Sequence, residues 1–287
     1  MVLLPYAIIS WIDALGWSRA VSMRSRRRIA LWRMYCMRQA GEAVSNLTPT
    51  AGLGGEPLKA YLLRRHGVEA GDAVASVVIA KTAMVCTQFL FTLFGLYLFV
   101  QWLGVLSDRA PILLAGAVVA LLVSAILVTG QRRGLVARAV RVLERLGLRG
   151  SFFVRLQKQA DAIDESLVRF YRDDPGGFAV IATLHLSGWL LGAFEAWFLL
   201  YLMGVPCDWR QAVIIESLTQ ATMAAAAIIP GGLGVQEITG AVLCRILGIG
   251  EAAGTALMLL KRAREVAFTA LGVSLISWLT RGAAPQD

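Results

Sequence analysis

The sequence contains little of what metal centres, redox sites and hydrolytic enzymes are built from. It has four cysteines and two histidines in 287 residues, and they form no Cys-x-x-Cys pair and no histidine cluster. This spacing predicts no metal, redox site or other bound cofactor. The sequence also lacks a Gly-x-Ser-x-Gly elbow, a His-Glu-x-x-His pair and a Gly-x4-Gly-Lys-Ser/Thr loop. These absences argue against a serine hydrolase, a zinc protease and an ATP-driven pump.

Charge is also scarce, because only 16% of the residues are charged and 57% are hydrophobic, with a mean hydropathy of +0.64. Four stretches are long and apolar enough to cross a bilayer, which takes about 20 residues. They are residues 82–107, 110–131, 217–236, and 178–203, the last interrupted only by His185 and Glu195. The sequence predicts an all-α polytopic membrane protein. Residues 1–287 form a single membrane domain, because the only long polar stretch is residues 132–174.

One sequence pattern occurs twice, 181 residues apart. The first copy is Pro49-Thr-Ala-Gly52-Leu53-Gly54-Gly55-Glu56, and the second is Pro230-Gly-Gly232-Leu233-Gly234-Val-Gln-Glu237. A basic residue follows each copy in an expected membrane helix, Lys81 in the first and Lys261 in the second. Paired segments interrupted by Gly and Pro are typical of transporters built from internal repeats. Two unrelated glycine-rich turns are the alternative interpretation.

Positive charge is concentrated at particular borders of the expected membrane segments. Seven arginines lie between Arg19 and Arg38, and ten basic residues face four acidic ones over residues 132–172, whereas the connections near Asp108 and Asp208 are short and neutral. The positive-inside rule places the basic regions and the C-terminus in the cytoplasm. The membrane is expected to be a bacterial inner membrane. Amphipathic helices over residues 132–174 would lie on the inner surface, where anionic lipid headgroups are the expected partners and nucleic acid is not.

These borders predict two repeats of opposite orientation, at about residues 28–107 and 210–281. In each repeat a helix enters the membrane, breaks at the motif and returns to the same side as a re-entrant hairpin, and a full span follows. With the first segment and the spans near residues 110–130 and 178–203, this gives about five full spans and two re-entrant hairpins. Non-helical backbone at membrane depth is tolerated only where protein or water covers it. A cavity between the two breaks is therefore expected.

Charged residues inside the spans identify the candidate site, since each costs roughly 2.5 to 3.5 kcal/mol at the centre of a span. We expect a headgroup-binding cavity to be lined by Glu56, Lys81, Glu237, Lys261 and Arg264. The motif glycines would expose backbone N–H groups that favour an anion, and they are Gly54, Gly55, Gly232 and Gly234. Supporting polar residues are Glu42, Glu195, Glu216, Gln236, Arg262 and Glu265. Pairing for structure alone stays open for each charge, and Lys261 with Glu265 is one candidate pair.

Several segments together form a recognisable pattern: Trp11-Ile-Asp13-Ala-Leu-Gly-Trp17, Gly41-Glu42, Thr48-Pro49, Gly54-Gly55-Glu56-Pro57-Leu58-Lys59-Ala60, the second motif copy, and Leu260-Lys-Arg-Ala-Arg-Glu265. With these segments the chain resembles the flippase-like membrane family that includes the transmembrane region of lysylphosphatidylglycerol synthase. Within the family, the segments 188–197 and 216–220 are most similar to the hopanoid-associated branch. The family usually begins with one more membrane helix, so we expect a shortened N-terminus here.

The resemblance implies translocation of a polar or anionic lipid, such as a hopanoid or a phospholipid, between the membrane leaflets. It also implies that the chain is not an enzyme, because it lacks the soluble aminoacyl-transferase domain of the synthase. An ion- or proton-coupled small-solute transporter and an intramembrane enzyme are the alternatives. A cavity with a lateral opening to lipid would favour the flippase, and a closed aqueous vestibule would favour the solute carrier.

Overall fold

The computed structural model describes residues 3–27, 29–50, 53–145, 151–226 and 229–281, and its regular structure in these ranges is helical throughout. The helices are α1 (Leu4–Ala20), α2 (Met23–Arg26), α3 (Leu31–Leu47), α4 (Gly55–Arg65), α5 (Ala70–Trp102), α6 (Leu106–Arg132), α7 (Leu135–Arg145), α8 (Ser151–Asp173), α9 (Gly177–Leu202), α10 (Trp209–Ala225), α11 (Val235–Ile246) and α12 (Glu251–Arg281). A 3-10 turn, Pro230–Gly232, lies between α10 and α11. The all-α prediction is therefore confirmed.

Both motif copies coincide with interruptions between helices. α3 ends at Leu47 and α4 begins at Gly55, because the residue before Pro49 is restricted to extended backbone and Thr48 adopts it. In the second copy Gly231, Gly232 and Gly234 have φ values of +58°, +58° and +82°, which residues with a side chain rarely adopt. The positions 28, 51, 52, 227 and 228 that belong to the predicted repeats lie outside the described residues, as does the chain after Arg281.

Three of the described helices are long and apolar enough to cross a membrane: Ala70–Trp102 of α5, Asp108–Arg132 of α6 and Gly177–Leu202 of α9. They match three of the five predicted full spans. The other two predicted spans form α1, with 17 residues, and α12, with 31 residues. α12 is long enough to span, but its middle carries Lys261, Arg262, Arg264 and Glu265.

The long helices are held together by two hydrophobic clusters. One contains Trp17, Leu63 and Ile79 and joins α1, α3, α4 and the first half of α5. The other contains Leu200 and Ile215 and joins α9, α10, α11 and the first half of α12. The opposite ends of α5, α9 and α12 reach into the other cluster. The charged residues in the middle of these helices consequently lie between the two clusters.

The two interrupted helix pairs pack crosswise. α3 packs on α4 and α10 packs on α11, and each pair also contacts the long helix that follows it. In addition, α3 packs on α12 and α10 packs on α5. The lengths of α3, α4 and α5 are 17, 11 and 33 residues, and those of α10, α11 and α12 are 17, 12 and 31. Each long helix therefore packs against the second helix of its own pair and the first helix of the other pair.

Helices α7 and α8 pack on each other and against the start of α5 and the end of α6. Asp164 on α8 accepts hydrogen bonds from the backbone amides of Val136 and Ala137, at the start of α7. The Tyr171 hydroxyl donates to Gln131 Oε1 on α6 over 2.8 Å. Burial raises the pKa of Tyr171, so this hydroxyl stays protonated and serves as a donor.

We predict that Gly55→Ala destabilises the fold by about 1 to 3 kcal/mol, the range for overpacked sites. A Cβ at this position would collide with the backbone carbonyl of Gly41, where α3 and α4 approach most closely. Gly176→Ala is the matched control, since that Cβ would meet no atom within 4 Å. Thermal unfolding in detergent measures both variants. Equal melting temperatures for the two variants would contradict the prediction.

Candidate functional site: a charged cavity between the interrupted helices

A cavity of about 840 Å³ lies between the two hydrophobic clusters. Its wall is formed by α1, α3, α9, α10 and α12, by Met84 of α5, and by the 3-10 turn of the second break. Its ionisable lining residues are Tyr6, Asp13, Arg38, Glu42, His185, Glu195, Glu216, Arg262, Arg264 and Glu265. Acidic and basic groups are both well represented, so the cavity is of mixed charge and not simply basic.

Two buried ion pairs form the deepest part of the charged wall. Lys261 Nζ donates to Glu216 Oε2 and lies 4.0 Å from Glu195 Oε2. Arg264 donates to Glu195 Oε2, and the side chains of all four residues are at most 7% exposed. These pairs connect α12 to α9 and α10. Removing one partner of such a pair leaves an uncompensated buried charge, which typically costs 3 to 5 kcal/mol.

Some hydrogen-bonding capacity in these pairs is left unused. Glu195 Oε1 and Arg264 Nε are buried and have no hydrogen-bond partner within the described residues. On its cavity side the Arg264 guanidinium lies 4.1 Å from the centre of the Tyr6 ring, a cation–π contact. Buried polar atoms without partners are uncommon and cost stability, so each calls for an explanation. Both residues line the cavity, although these two atoms are themselves shielded from it.

Arg262 fastens the second break to α12. Its Nε donates to Glu237 Oε1 over 2.9 Å, and its terminal nitrogens donate to the carbonyl oxygens of Gly231 and Gly232 and to Glu265. Glu237 Oε2 in turn accepts the Gly234 amide over 3.0 Å, at the start of α11. One guanidinium thus satisfies two carbonyl groups of the turn and orients the motif glutamate.

The first break carries a related arrangement beside a smaller cavity of about 40 Å³. Glu56 Oε1 lies 3.2 Å from Lys59 Nζ and 3.4 Å from Lys81 Nζ of α5. The Gly55 amide donates to Ser45 Oγ on α3 over 3.0 Å. This bond satisfies one of the N–H groups at the start of α4 that have no partner within the helix. The motif glutamate is therefore paired with the following long helix in both copies.

The pairing corrects the predicted equivalence between Lys81 and Lys261. Lys81 lies 25 residues after Glu56, and the residue 25 positions after Glu237 is Arg262. Arg262 makes the ion pair that corresponds to the Glu56–Lys81 pair, whereas Lys261 points to Glu216. The sequence comparison chose the wrong basic residue because two cations are adjacent on α12 and only their helix faces distinguish them.

Three residues that the sequence analysis did not place in the site form a wall between the two cavities. Asp13 Oδ2 accepts a hydrogen bond of 2.6 Å from Arg38, and Asp13 Oδ1 lies 3.0 Å from His185 Nδ1. Both cavities are lined by Asp13, Arg38 and His185. Asp13 was noticed in the sequence because a carboxylate inside an apolar segment needs a partner. Which cation it meets depends on how α1, α3 and α9 pack.

Comparison with known proteins places this architecture in a membrane protein family. A sequence model described as "Lysylphosphatidylglycerol synthase TM region" matches residues 1–272. The chain belongs to that family. A relative from Methanothermobacter thermautotrophicus, named "UPF0104 membrane protein", is 26% identical over an alignment of 294 positions, gaps included, that covers 96% of this chain and 83% of the relative. No solved structure matches the chain. The match is to the family as a whole, and the hopanoid-associated branch stays a prediction.

In this family member the predicted site residues fall into three groups. Six line the large cavity: Glu42, Glu195, Glu216, Arg262, Arg264 and Glu265. Glu56 and Lys81 line the small cavity instead. Glu237 and Lys261 are absent from the described linings of both cavities and act on them through Arg262 and Glu216.

The remaining predicted residues shape the breaks. Gly55 allows the close approach of α4 to Gly41, and Gly232 and Gly234 supply left-handed backbone. A Cβ at Gly54 would collide with the hydroxyl groups of Thr48 and Thr50, and Gln236 is buried beside Glu265. No group of three potential metal ligands lies together within the described residues.

We predict that Arg262→Lys loosens the second break. A lysine keeps the charge but cannot reach Glu237 and the two glycine carbonyls together, and each lost hydrogen bond to a charged group is worth about 1.5 to 3 kcal/mol. Amide hydrogen exchange over residues 229–238 should become faster in the variant.

The matched control is Arg245→Lys, whose guanidinium is 63% exposed and faces Glu251 over 3.5 Å. Exchange in the same peptide should stay unchanged in this control. Equal exchange rates in wild-type protein and Arg262→Lys would show that the guanidinium does not hold the turn.

Proposed function

We propose that this protein moves a membrane lipid between leaflets by passing its polar headgroup through the central cavity. The observation that carries the proposal is the cavity itself, which has charged groups deep inside and apolar residues at its rim. The family match supports the membrane setting, and the family's name refers to an enzyme of a membrane lipid, lysylphosphatidylglycerol. Together they favour a ligand with one polar and one apolar end.

The inner wall suits a polar headgroup. Arg264 and Arg262 donate from α12, and Glu195, Glu216 and Glu265 accept. Arg264 Nε and Glu195 Oε1 are a donor and an acceptor that are buried and have no partner within the described residues. A headgroup with both an anionic oxygen and a hydroxyl or amine would satisfy them once these side chains turn toward the cavity. Such contacts replace part of the hydration that a headgroup loses in the membrane core.

The rim suits acyl chains. Leu47, Leu233 and Val266 line the cavity, and each exposes more than 60% of its surface. Val273 and Ala270 continue this apolar edge along α12. In a bilayer, exposed leucine and valine side chains face lipid tails without cost. A headgroup can then enter the cavity while its tails stay in the roughly 30 Å hydrocarbon core.

We further propose that the two halves are inverted repeats with re-entrant hairpins. Three observations support this: the matching helix lengths, the crosswise packing of α3 on α12 and of α10 on α5, and the 25-residue spacing of both motif ion pairs. The ends of the breaks also meet, since a Cβ on Gly231 would lie 3.6 Å from the carbonyl oxygen of Asn46. Inverted repeats around a mid-membrane site are a common transporter design.

The mixed-charge cavity also suits a small polar solute, which is the second candidate function. The apolar rim favours the lipid, because a solute carrier needs a polar route to water at that point. We propose no chemical reaction for the site. Most of its charged groups are held in ion pairs with one another.

We predict that the chain transports lipid when reconstituted in liposomes containing acyl-chain-labelled phospholipids. Ala270→Trp should slow the exchange about tenfold, because the indole would fill the cavity beside Val273. Ala263→Trp is the matched control on the same helix, since Ala263 is exposed and absent from the described cavity lining. It should leave the rate unchanged.

A membrane-impermeant quencher added outside the liposomes removes the fluorescence of labelled lipid in the outer leaflet. The rate of the further fluorescence loss measures how fast lipid arrives from the inner leaflet. Equal rates for the two tryptophan variants and the wild-type protein would refute a route through the cavity. Transport of a water-soluble solute without lipid exchange would favour the second candidate function.

The proposed orientation predicts which loops are cytoplasmic. Single cysteines placed at Asp108 and Asp208 on a cysteine-free background should react with an impermeant reagent in intact cells. Cysteines at Arg26 and Arg169 should react only after the inner face is opened. The reason is the retention of Arg-rich segments in the cytoplasm. Reaction of the Arg26 position in intact cells would overturn the orientation.

A further inference from the structure

The wall between the two cavities contains a titratable group that the lipid pathway does not explain. His185 on α9 lines both the 840 Å³ cavity and the 40 Å³ cavity. It shares this position with Asp13, Arg38, Glu42 and Met84. No described residue of the proposed lipid pathway uses this imidazole, although it stands where the two cavities adjoin.

The geometry around His185 fixes the role of each ring nitrogen. Nδ1 lies 3.0 Å from Asp13 Oδ1, and the other carboxylate oxygen accepts a hydrogen bond from Arg38. A carboxylate only accepts hydrogen bonds, so Nδ1 carries the proton in the neutral ring and Nε2 keeps its lone pair. Nε2 is buried and has no hydrogen-bond partner within the described residues. The side chain as a whole is only 6% exposed.

Close packing keeps the imidazole in this place. A Cβ on Gly16 would lie 3.6 Å from His185 Nε2, so glycine at this position lets α1 approach the ring. Likewise, a Cβ on Gly188 would lie 3.5 Å from Asp13 Oδ1. The two glycines bring α1 and α9 together around a pair of titratable side chains.

Other charged groups face the same wall, and most are already engaged. Glu56 contacts Lys59 and Lys81, Glu216 contacts Lys261, and Arg264 contacts Glu195. The titratable groups that line a cavity together with His185 are Tyr6 and Asp13 on α1, Arg38 and Glu42 on α3, Glu56 and Lys59 on α4, Lys81 on α5, Glu195 on α9, Glu216 on α10, and Arg262, Arg264 and Glu265 on α12. Among the described acids, Asp13 is the one in contact with the ring.

We propose that His185 is a proton-binding site between the two cavities, and that its loading and release are coupled to movement of the lipid headgroup. The inference rests on the proposed lipid translocation. In the proposed uptake step a hydronium ion gives its proton to Nε2, which forms an N–H bond and leaves a water molecule. Nε2 is buried against α1 near Gly16, so the proposal requires the contact between α1 and α9 to loosen toward one cavity during each step. In the reverse step the imidazolium returns a proton to water in the other cavity. No redox partner or further reactant is needed.

Coupling follows from the change in charge. With a neutral ring, Asp13, Arg38 and His185 sum to zero, and after protonation they sum to about +1. This charge adjoins the cavity in which the headgroup is proposed to bind, so protonation favours an anionic group there. The small cavity lies beside Trp17 and Val77 of the first hydrophobic cluster, and the large one extends to Tyr6 and Glu216. The two cavities therefore extend from His185 to different parts of the helix bundle.

The first experiment measures lipid exchange in proteoliposomes with and without a gradient of one pH unit. The measured quantity is the ratio of the two rates. One pH unit is a tenfold change in proton activity, so we expect the wild-type ratio to differ from one by about threefold to tenfold. In His185→Gln, which cannot take up a proton, the ratio should fall to one whatever the absolute rate.

His66→Gln is the matched control, because the chain has two histidines in all. His66 lies at the end of α4, where its Nδ1 is 2.8 Å from the Leu62 carbonyl, and it is absent from the described lining of both cavities. This variant should keep both the wild-type rate and the wild-type ratio. A ratio of one in this variant would overturn the assignment to His185.

The second experiment does not depend on transport or on the folding of the His185→Gln variant. In His66→Gln protein in lipid nanodiscs, imidazole ¹⁵N labelling reports His185 alone. We expect a neutral ring protonated on Nδ1 at high pH and a doubly protonated ring at low pH. Asp13→Asn in the same background should change the tautomer at high pH, because a carboxamide can also donate.

The outcomes separate this inference from the proposed function. Lipid exchange with a wild-type ratio of one would overturn proton coupling and leave lipid translocation standing. A ratio that persists in His185→Gln would assign the coupling to another group. A His185 ring that keeps one protonation state between about pH 5 and pH 9 would also overturn the inference. Absence of lipid exchange under every gradient would refute the proposed function itself.

Discussion

Ion pairs between helices in the middle of the bundle fix the relative positions of the helices, and the rest of the structure depends on them. An unpaired charge at that depth costs several kcal/mol, so each cation on α12 selects a carboxylate on a particular neighbour. Lys261 selects Glu216 on α10, Arg264 selects Glu195 on α9, and Arg262 reaches Glu237 on α11. One helix is thereby fixed in height and rotation against three others, and the apolar residues pack around that arrangement.

The same pairing defines the space between the helices. Long charged side chains pack less tightly than leucines do, and they lie between the two hydrophobic clusters. The cavity lies in this less tightly packed region. Stability and function meet at Arg264 and Glu195, which are paired with each other yet keep one nitrogen and one oxygen without a partner. An arrangement made only for stability would satisfy these atoms.

The two helix breaks are stabilised by different residues. Each break needs a carboxylate at the start of the second short helix and a cation 25 residues later. In the first half Lys59 and Lys81 share Glu56. In the second half a single guanidinium binds Glu237 and also two glycine carbonyls, because its planar fork offers more donors than an ammonium group. The two breaks therefore share the spacing of their ion pair but differ in the cation that forms it.

The sequence by itself determined the membrane class, the helical breaks at Pro49 and in the second motif, and the set of charges that had to be explained. Composition and helix-breaking residues act locally, so they can be read without knowing the fold. The partners of these charges were decided only by the tertiary structure. Lys261 and Arg262 are neighbours in sequence yet face different helices, and Asp13 meets Arg38 and His185 only because α1, α3 and α9 converge. Pairing depends on distances across the bundle, which spacing along one chain does not encode.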